Sequence, residues 1–111
     1  MRAIKIDATN NTLTMVELDK GNAFVKAYKH VGCSMLERMG EVQGHDVYGD
    51  EEGRLKGDTR AFMLHGQWVC GNGIVMGHDG KGHDAPCTLT LDEVQASIEW
   101  MPYGKVLHTE W

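Results

Sequence analysis

Residues 2–17 read RAIKIDATNNTLTMVE and contain two apolar–polar alternations separated by turn-forming residues. The first alternation, over residues 3–7, is typical of a half-buried strand, and residues 13–17 predict a second strand. Thr9, Asn10 and Asn11 between them form a turn signal. Two strands joined by a short turn pair antiparallel, so the sequence predicts a hairpin over residues 2–18.

A helix is predicted immediately after this hairpin. Phe24, Tyr28 and Val31 recur at helical spacing. Asn22 stands where a helix N-cap is expected, and Gly32 stands where a C-cap commonly uses glycine.

The middle of the chain is rich in glycine and alternates in short runs, which predicts several short strands joined by turns. An acidic turn is expected at residues 50–53, and residues 60–64 are compatible with either a short strand or a short helix. The predicted strands cover residues 34–39, 45–48, 68–70 and 73–77.

The second helix has the clearest local signal in the chain. Residues 90–93 read TLDE, a capping box in which Thr90 and Glu93 satisfy each other's backbone N–H groups. Leu91, Val94 and Ile98 would then share one helical face. Pro102 disfavours helix at the preceding residue, so the helix is expected to stop by Trp100. Trp100 lies off that face and is either covered by the C-terminal residues or exposed to a partner.

These elements together predict an α+β fold, with an antiparallel or mixed sheet of short strands and two helices packed on one face. The 111 residues suit a single domain, which we place at residues 1–101, followed by a tail at residues 102–111.

Charge and composition exclude several classes of function. The formal net charge of −5 and the scattered basic residues argue against nucleic acid as a partner. No apolar run has the length of a membrane span, and no secretion signal is recognisable, so we expect a cytoplasmic protein that does not bind membranes. The three cysteines include no Cys-x-x-Cys pair, which predicts free thiols in or near the core.

Residues 77–84 read GHDGKGHD and allow three interpretations. The first is a metal site with His78, His83 and Cys87 as ligands, although their spacing matches no standard zinc motif. The second is an anion site formed by Lys81 and glycine N–H groups. The third is a solvated turn, in which glycine supplies positive φ and aspartate bonds the local backbone; this is the interpretation that we favour.

Ligand binding has four candidate residues, although the nucleotide motifs G-x-G-x-x-G and the P-loop are both missing from the sequence. Arg60 offers a planar fork of donors for phosphate or carboxylate, and Trp68 offers a stacking surface. His78 and Lys81 add donors on the glycine-rich loop. No cofactor is predicted.

Four blocks in order resemble a family of short, mostly phage-encoded proteins known as domain of unknown function 3846. They are Arg2–Asp7, Val31–Cys33, Asp50–Gly57 and the stretch from Gly71 to Val94. The resemblance implies a phage origin and a small α+β fold, but no particular activity and no catalytic residues. The chain departs from the family pattern at Thr59, where members tend to have asparagine, and in the two histidines of the glycine-rich loop.

We therefore expect a small phage accessory protein that acts by binding in the host cytoplasm, in counter-defence or host takeover. It would sequester a nucleotide-type small molecule, through Arg60, Trp68, His78 and Lys81, or occlude a host protein, and a homo-oligomer is compatible with either role. The alternative is a metal-dependent enzyme or metal-binding protein that uses the His78, His83 and Cys87 loop.

Overall fold

The computed structural model describes residues 1–19, 22–55 and 59–106. The elements in these residues are nine strands, two α-helices and one turn of 3-10 helix at Gly53–Leu55. The helices are α1 (Ala23–Val31) and α2 (Leu91–Gln95). The strands are β1 (Arg2–Asp7), β2 (Thr12–Glu17), β3 (Leu36–Val42), β4 (His45–Asp50), β5 (Ala61–Leu64), β6 (Gln67–Cys70), β7 (Gly73–His78), β8 (Asp84–Ala85) and β9 (Ile98–Trp100).

The main sheet has the order β2–β1–β7–β4–β3, with β8 added to the end of β7. Every pairing in it is antiparallel, which confirms the hairpin predicted from the first residues. Strand β7 is central because Ile74, Val75 and Met76 are apolar in succession, so that both of its faces are buried. Strand β2 has polar and half-exposed residues and lies at one edge.

Successive side chains of β7 point to opposite faces of the sheet, and each face has its own hydrophobic cluster. Val75 packs with the smaller sheet β6–β5–β9, in a cluster that includes Phe62, and with Val94 of α2. Ile74 and Met76 pack with α1 on the other face.

The two helices therefore belong to different clusters, and the predicted arrangement with both helices on one face is not found. The fold is α+β and dominated by antiparallel sheet. Amphipathic patterns show that a helix has a buried side, but they do not show which face of a sheet receives it.

Local signals predicted three of the four helix ends in α1 and α2. Gly32 adopts φ of 80° after α1, and its N–H donates to the Tyr28 carbonyl at 2.8 Å. The Thr90–Glu93 capping box is present at the start of α2. Asn22 does precede α1, but its side chain makes no capping hydrogen bond.

The second helix is shorter than the sequence predicts, because it ends at Gln95 and not near Trp100. Residues 98–100 are extended and pair with β5, with Ile98 opposite Leu64 and Trp100 opposite Phe62. Pairing with a distant strand, which leaves Ile98 in the core, outweighs the helical spacing of Leu91, Val94 and Ile98. Trp100 is half-buried against the same cluster.

Only part of the predicted tail is within the described residues. Residues 101–105 are held against the domain by Arg60, while residues 107–111, including Trp111, lie outside the described part. Among the residues that the structure describes, none forms a helix with the length and apolar character needed to cross a membrane.

Candidate functional site

The GHDGKGHD stretch forms a β-hairpin between β7 and β8, so the turn interpretation is confirmed. The Asp79 N–H donates to the His83 carbonyl at 2.8 Å. One Asp79 carboxylate oxygen accepts the backbone N–H groups of Lys81 at 2.8 Å and His83 at 2.9 Å. These bonds lower the pKa of Asp79, with the largest contribution from the His83 N–H. The aspartate itself occupies the place that an anion would take in a glycine-rich loop.

The three candidate metal ligands are not brought together. His78 Nδ1 lies 3.2 Å from a carboxylate oxygen of Asp46, and His83 Nδ1 lies 3.2 Å from Asp79. Cys87 is 1% exposed in the core, where burial raises the pKa of its thiol. Over residues 1–19, 22–55 and 59–106, no group of three or more His, Cys, Asp or Glu side chains is placed to hold a metal ion.

Arg60 has a structural role that the sequence did not indicate. Its five N–H donors all form hydrogen bonds within the chain, at Nε, twice at Nη1 and twice at Nη2. The acceptors are the carbonyls of Ala8, Met101, Pro102 and Lys105 and the side-chain oxygen of Asn11. No guanidinium donor remains for a ligand in this arrangement.

The four candidate ligand-binding residues fall in two regions: Arg60 and Trp68 are at the smaller sheet, and His78 and Lys81 are on the β7–β8 hairpin. The Arg60 carbonyl accepts the Gly71 N–H at 2.8 Å, just before β7 begins, whereas His78 ends β7. The length of that strand separates the two regions by roughly 17 Å. Lys81 is exposed at the tip of the hairpin, and Trp68 lies on β6, where its carbonyl accepts from Arg54.

A concave surface lies elsewhere, between α1 and the β7–β8 hairpin. It is a groove of about 510 Å³, within the usual size range of ligand pockets. One wall is the start of α1 and contains Asn22, Phe24, Val25 and Tyr28. The opposite wall contains Met1, His83, Asp84 and Pro86. We call this surface the α1 groove.

The wall formed by α1 is apolar and partly open to solvent. Val25 is 52% exposed and Tyr28 is 36% exposed. The helix leaves them outside because it packs on the sheet through a stripe of Ala23, Ala27 and Val31. Phe24 is fixed from behind by an edge-to-face contact with Tyr48, with ring centroids 5.2 Å apart.

A polar cluster lies behind the opposite wall, on the same face of the main sheet. Asp46 is 9% exposed and bridges Arg38 Nε at 2.8 Å and His78 Nδ1 at 3.2 Å. Asp84 lies opposite His78 in the antiparallel register of β7 and β8. Burial, and then the charges of Asp46 and Asp84, raise the pKa of Tyr48.

Sequence reasoning did not identify the α1 groove, because the helical spacing of Phe24, Tyr28 and Val31 predicted the helix but not which of its side chains stay exposed. The spacing of Ala23, Ala27 and Val31 contained the missing signal. This stripe of small residues lets the helix approach the sheet closely. The larger side chains beside the stripe are then directed away from the sheet. The opposite wall comes from residues about sixty positions later, for which no local pattern is available.

The family comparison agrees with the blocks noted in the sequence. Residues 1–100 match the family described as Domain of unknown function (DUF3846). The chain belongs to the DUF3846 family. Neither the curated proteins nor the solved structures contain a significant match to it. The function of this DUF3846 chain is therefore inferred from its own surface.

Proposed function

We propose that this DUF3846 protein acts by binding, and that it takes an apolar side chain of a protein partner into the α1 groove. The observation that carries the proposal is the apolar wall of α1, where Val25 and Tyr28 are exposed beside a cavity of about 510 Å³. Exposed aromatic and aliphatic side chains next to a pocket are typical of the centre of a protein interface.

A protein partner fits this surface better than a nucleotide does. Phosphate recognition needs free N–H groups or cations, but Asp79 already accepts the N–H groups of Lys81 and His83. Arg60 uses all its donors within the chain. The net charge of −5 also opposes the approach of a polyanion.

The biological setting that we propose follows from the resemblance to phage-encoded proteins. The protein would occlude a surface of a host protein in the host cytoplasm, as part of counter-defence or host takeover. Sequestration of a nucleotide-type molecule is the competing version, and it predicts binding through Arg60, Trp68, His78 and Lys81. Those residues fall in two regions of the monomer, the smaller sheet and the β7–β8 hairpin, so this version requires an oligomer to bring the two together.

A displayed library of random peptides, selected on the intact protein, tests the proposal. We expect enriched peptides that contain a large apolar anchor. Their affinity should fall at least about fivefold in Tyr28→Ala, because a buried aromatic contact at the centre of an interface typically contributes more than about 1 kcal/mol.

The matched control is Tyr103→Ala. Tyr103 is 77% exposed, on the segment held by Arg60, and does not line the α1 groove. Selected peptides should bind this variant as they bind the unmodified protein. The proposal fails if no peptide is enriched, or if Tyr28→Ala leaves the affinity of every selected peptide unchanged.

A further inference from the structure

We propose that the α1 groove selects a basic segment, in which a lysine or arginine next to the apolar anchor pairs with Asp84. This inference rests on the proposed function and specifies the chemistry of the partner. The juxtaposition that carries it is a carboxylate without a hydrogen bond or ion pair, among the described residues, in the wall of a mostly apolar groove.

Asp84 differs from the other aspartates near the groove in having no partner. Asp46 is held by Arg38 and His78, and Asp79 accepts the N–H groups of its own hairpin. Asp19 is paired with Lys26 at 3.2 Å. Within the described residues, the exposed carboxylate of Asp84 receives neither a hydrogen bond nor an ion pair.

The cationic groups that line the groove, and Lys26 beside it, are already matched by acidic groups. Met1 lines the groove, and its amino group lies 3.1 Å from Glu17 and 2.6 Å from the Leu18 carbonyl. Lys26 projects from α1 toward Asp19. His83 also lines the groove, and its Nδ1 faces Asp79 at 3.2 Å. Lys81 is at the hairpin tip and does not line the groove.

Lys29, next to Tyr28 on α1, does not line the groove, so the unmatched charge in the lining is that of Asp84, in a chain whose net charge is −5. A basic partner is attracted both by this overall charge and by Asp84, whereas an acidic partner is repelled by both. The aromatic rings of Phe24 and Tyr28 on the facing wall also favour a cation, because the face of an aromatic ring carries negative potential.

Three small probes with the same apolar body and different charge test the inference. Phenylbutylamine, 5-phenylpentanoate and phenylbutanol are titrated separately into the full chain, and amide chemical shifts are followed. We expect all three to shift the amides of Phe24, Val25, Tyr28, His83 and Asp84. The amine should bind about threefold or more tightly than the acid, as is typical of an exposed ion pair.

The variant Asp84→Asn should lower the ratio of the amine's affinity to that of the acid by about threefold or more. Asp92→Asn is the matched control, because Asp92 is also exposed but lies on α2, and Val94 of that helix packs in the cluster on the other face of the sheet. This control removes the same net charge and should retain the preference.

The two proposals fail in different ways. If the probes bind in the groove but the acid binds as tightly as the amine, or Asp84→Asn retains the preference, the basic-partner inference is overturned and the groove remains a binding site. If none of the three probes shifts the groove amides, the groove itself is contradicted, and the inference with it.

Discussion

Arg60 shows how one side chain can join parts of the chain that are distant in sequence. Arg60 immediately precedes β5, and its donors reach the turn after β1 and the segment after β9. Arginine suits this position because its planar fork presents five donors in fixed directions. The residue that looked most suited to a ligand therefore contributes to the fold.

We predict that Arg60→Ala destabilises the protein by about 2–4 kcal/mol, because hydrogen bonds to a charged donor contribute more than neutral ones. Arg60→Lys should lose less, since it retains the charge but has three donors on a single nitrogen. Urea unfolding measures both. Unchanged stability in Arg60→Ala would remove the structural role assigned here and would restore Arg60 as a ligand-binding candidate.

Asp79 gives a prediction about pH. Its pKa is lowered from the ordinary value of 3.8 by the N–H groups of His83 and Lys81. The ionised form is therefore favoured in the folded hairpin, and the stability it contributes is present above about pH 3.8 and lost as pH falls through the lowered value. The carboxyl carbon shift of Asp79 should titrate below 3.8, and the protection of the Lys81 and His83 amides against exchange, relative to the intrinsic rate, should fall over the same interval. Titration at or above the ordinary value would contradict this.

At the scale of elements, the hairpin β7–β8 and helix α1 depend on close approaches. Gly77 lies in β7, where an added Cβ would be 2.5 Å from the Pro86 carbonyl oxygen. That carbonyl belongs to the backbone and cannot rotate away, so a side chain at residue 77 would push β8 outward. Gly80, at the tip of the same hairpin, has open space around it.

We predict that Gly77→Ala destabilises the protein by about 1–3 kcal/mol, which is typical of overpacking, and also weakens binding of the selected peptides. Binding is affected because Asp84 and Pro86 form one wall of the α1 groove. Gly80→Ala is the matched control and should change stability by no more than about 0.5 kcal/mol. Equal effects of the two substitutions on stability and binding would show that the close approach has no consequence.

The capping box gives a further prediction for α2. Thr90→Ala should lower the free energy of unfolding by about 1 kcal/mol, because the Glu93 N–H loses its acceptor at the helix start. Thr90→Ser retains the hydroxyl and should remain close to the unmodified protein. Thermal unfolding of the three proteins decides this, and a Thr90→Ser variant as unstable as Thr90→Ala would argue against capping.

Sequence reasoning predicted the features that depend on short-range interactions and missed those that depend on long-range ones. The first hairpin, the Gly32 C-cap and the Thr90–Glu93 box all depend on residues within a few positions of one another, and each was predicted. The end of α2 was not, because residues 98–100 are extended by pairing with β5 more than thirty residues away. The same limit applies to the α1 groove, whose two walls are joined only when β8 returns beside β7.

At the scale of the whole molecule, the two faces of the main sheet are covered by different elements. One face, covered by the smaller sheet and α2, contains the larger hydrophobic cluster and gives stability. The other face supports α1, whose outer surface leaves Val25 and Tyr28 exposed. The free apolar surface of the groove thus lies on the face covered by a single helix.

We propose that a partner peptide enters the α1 groove. The most direct test is to titrate a selected peptide into the full chain and map the amide chemical shift changes on the structure. We predict that the largest changes fall in residues 23–28 and 83–85, with little change in residues 101–106. Changes concentrated around Arg60, Trp68 and the C-terminal segment, with α1 unaffected, would contradict the claim.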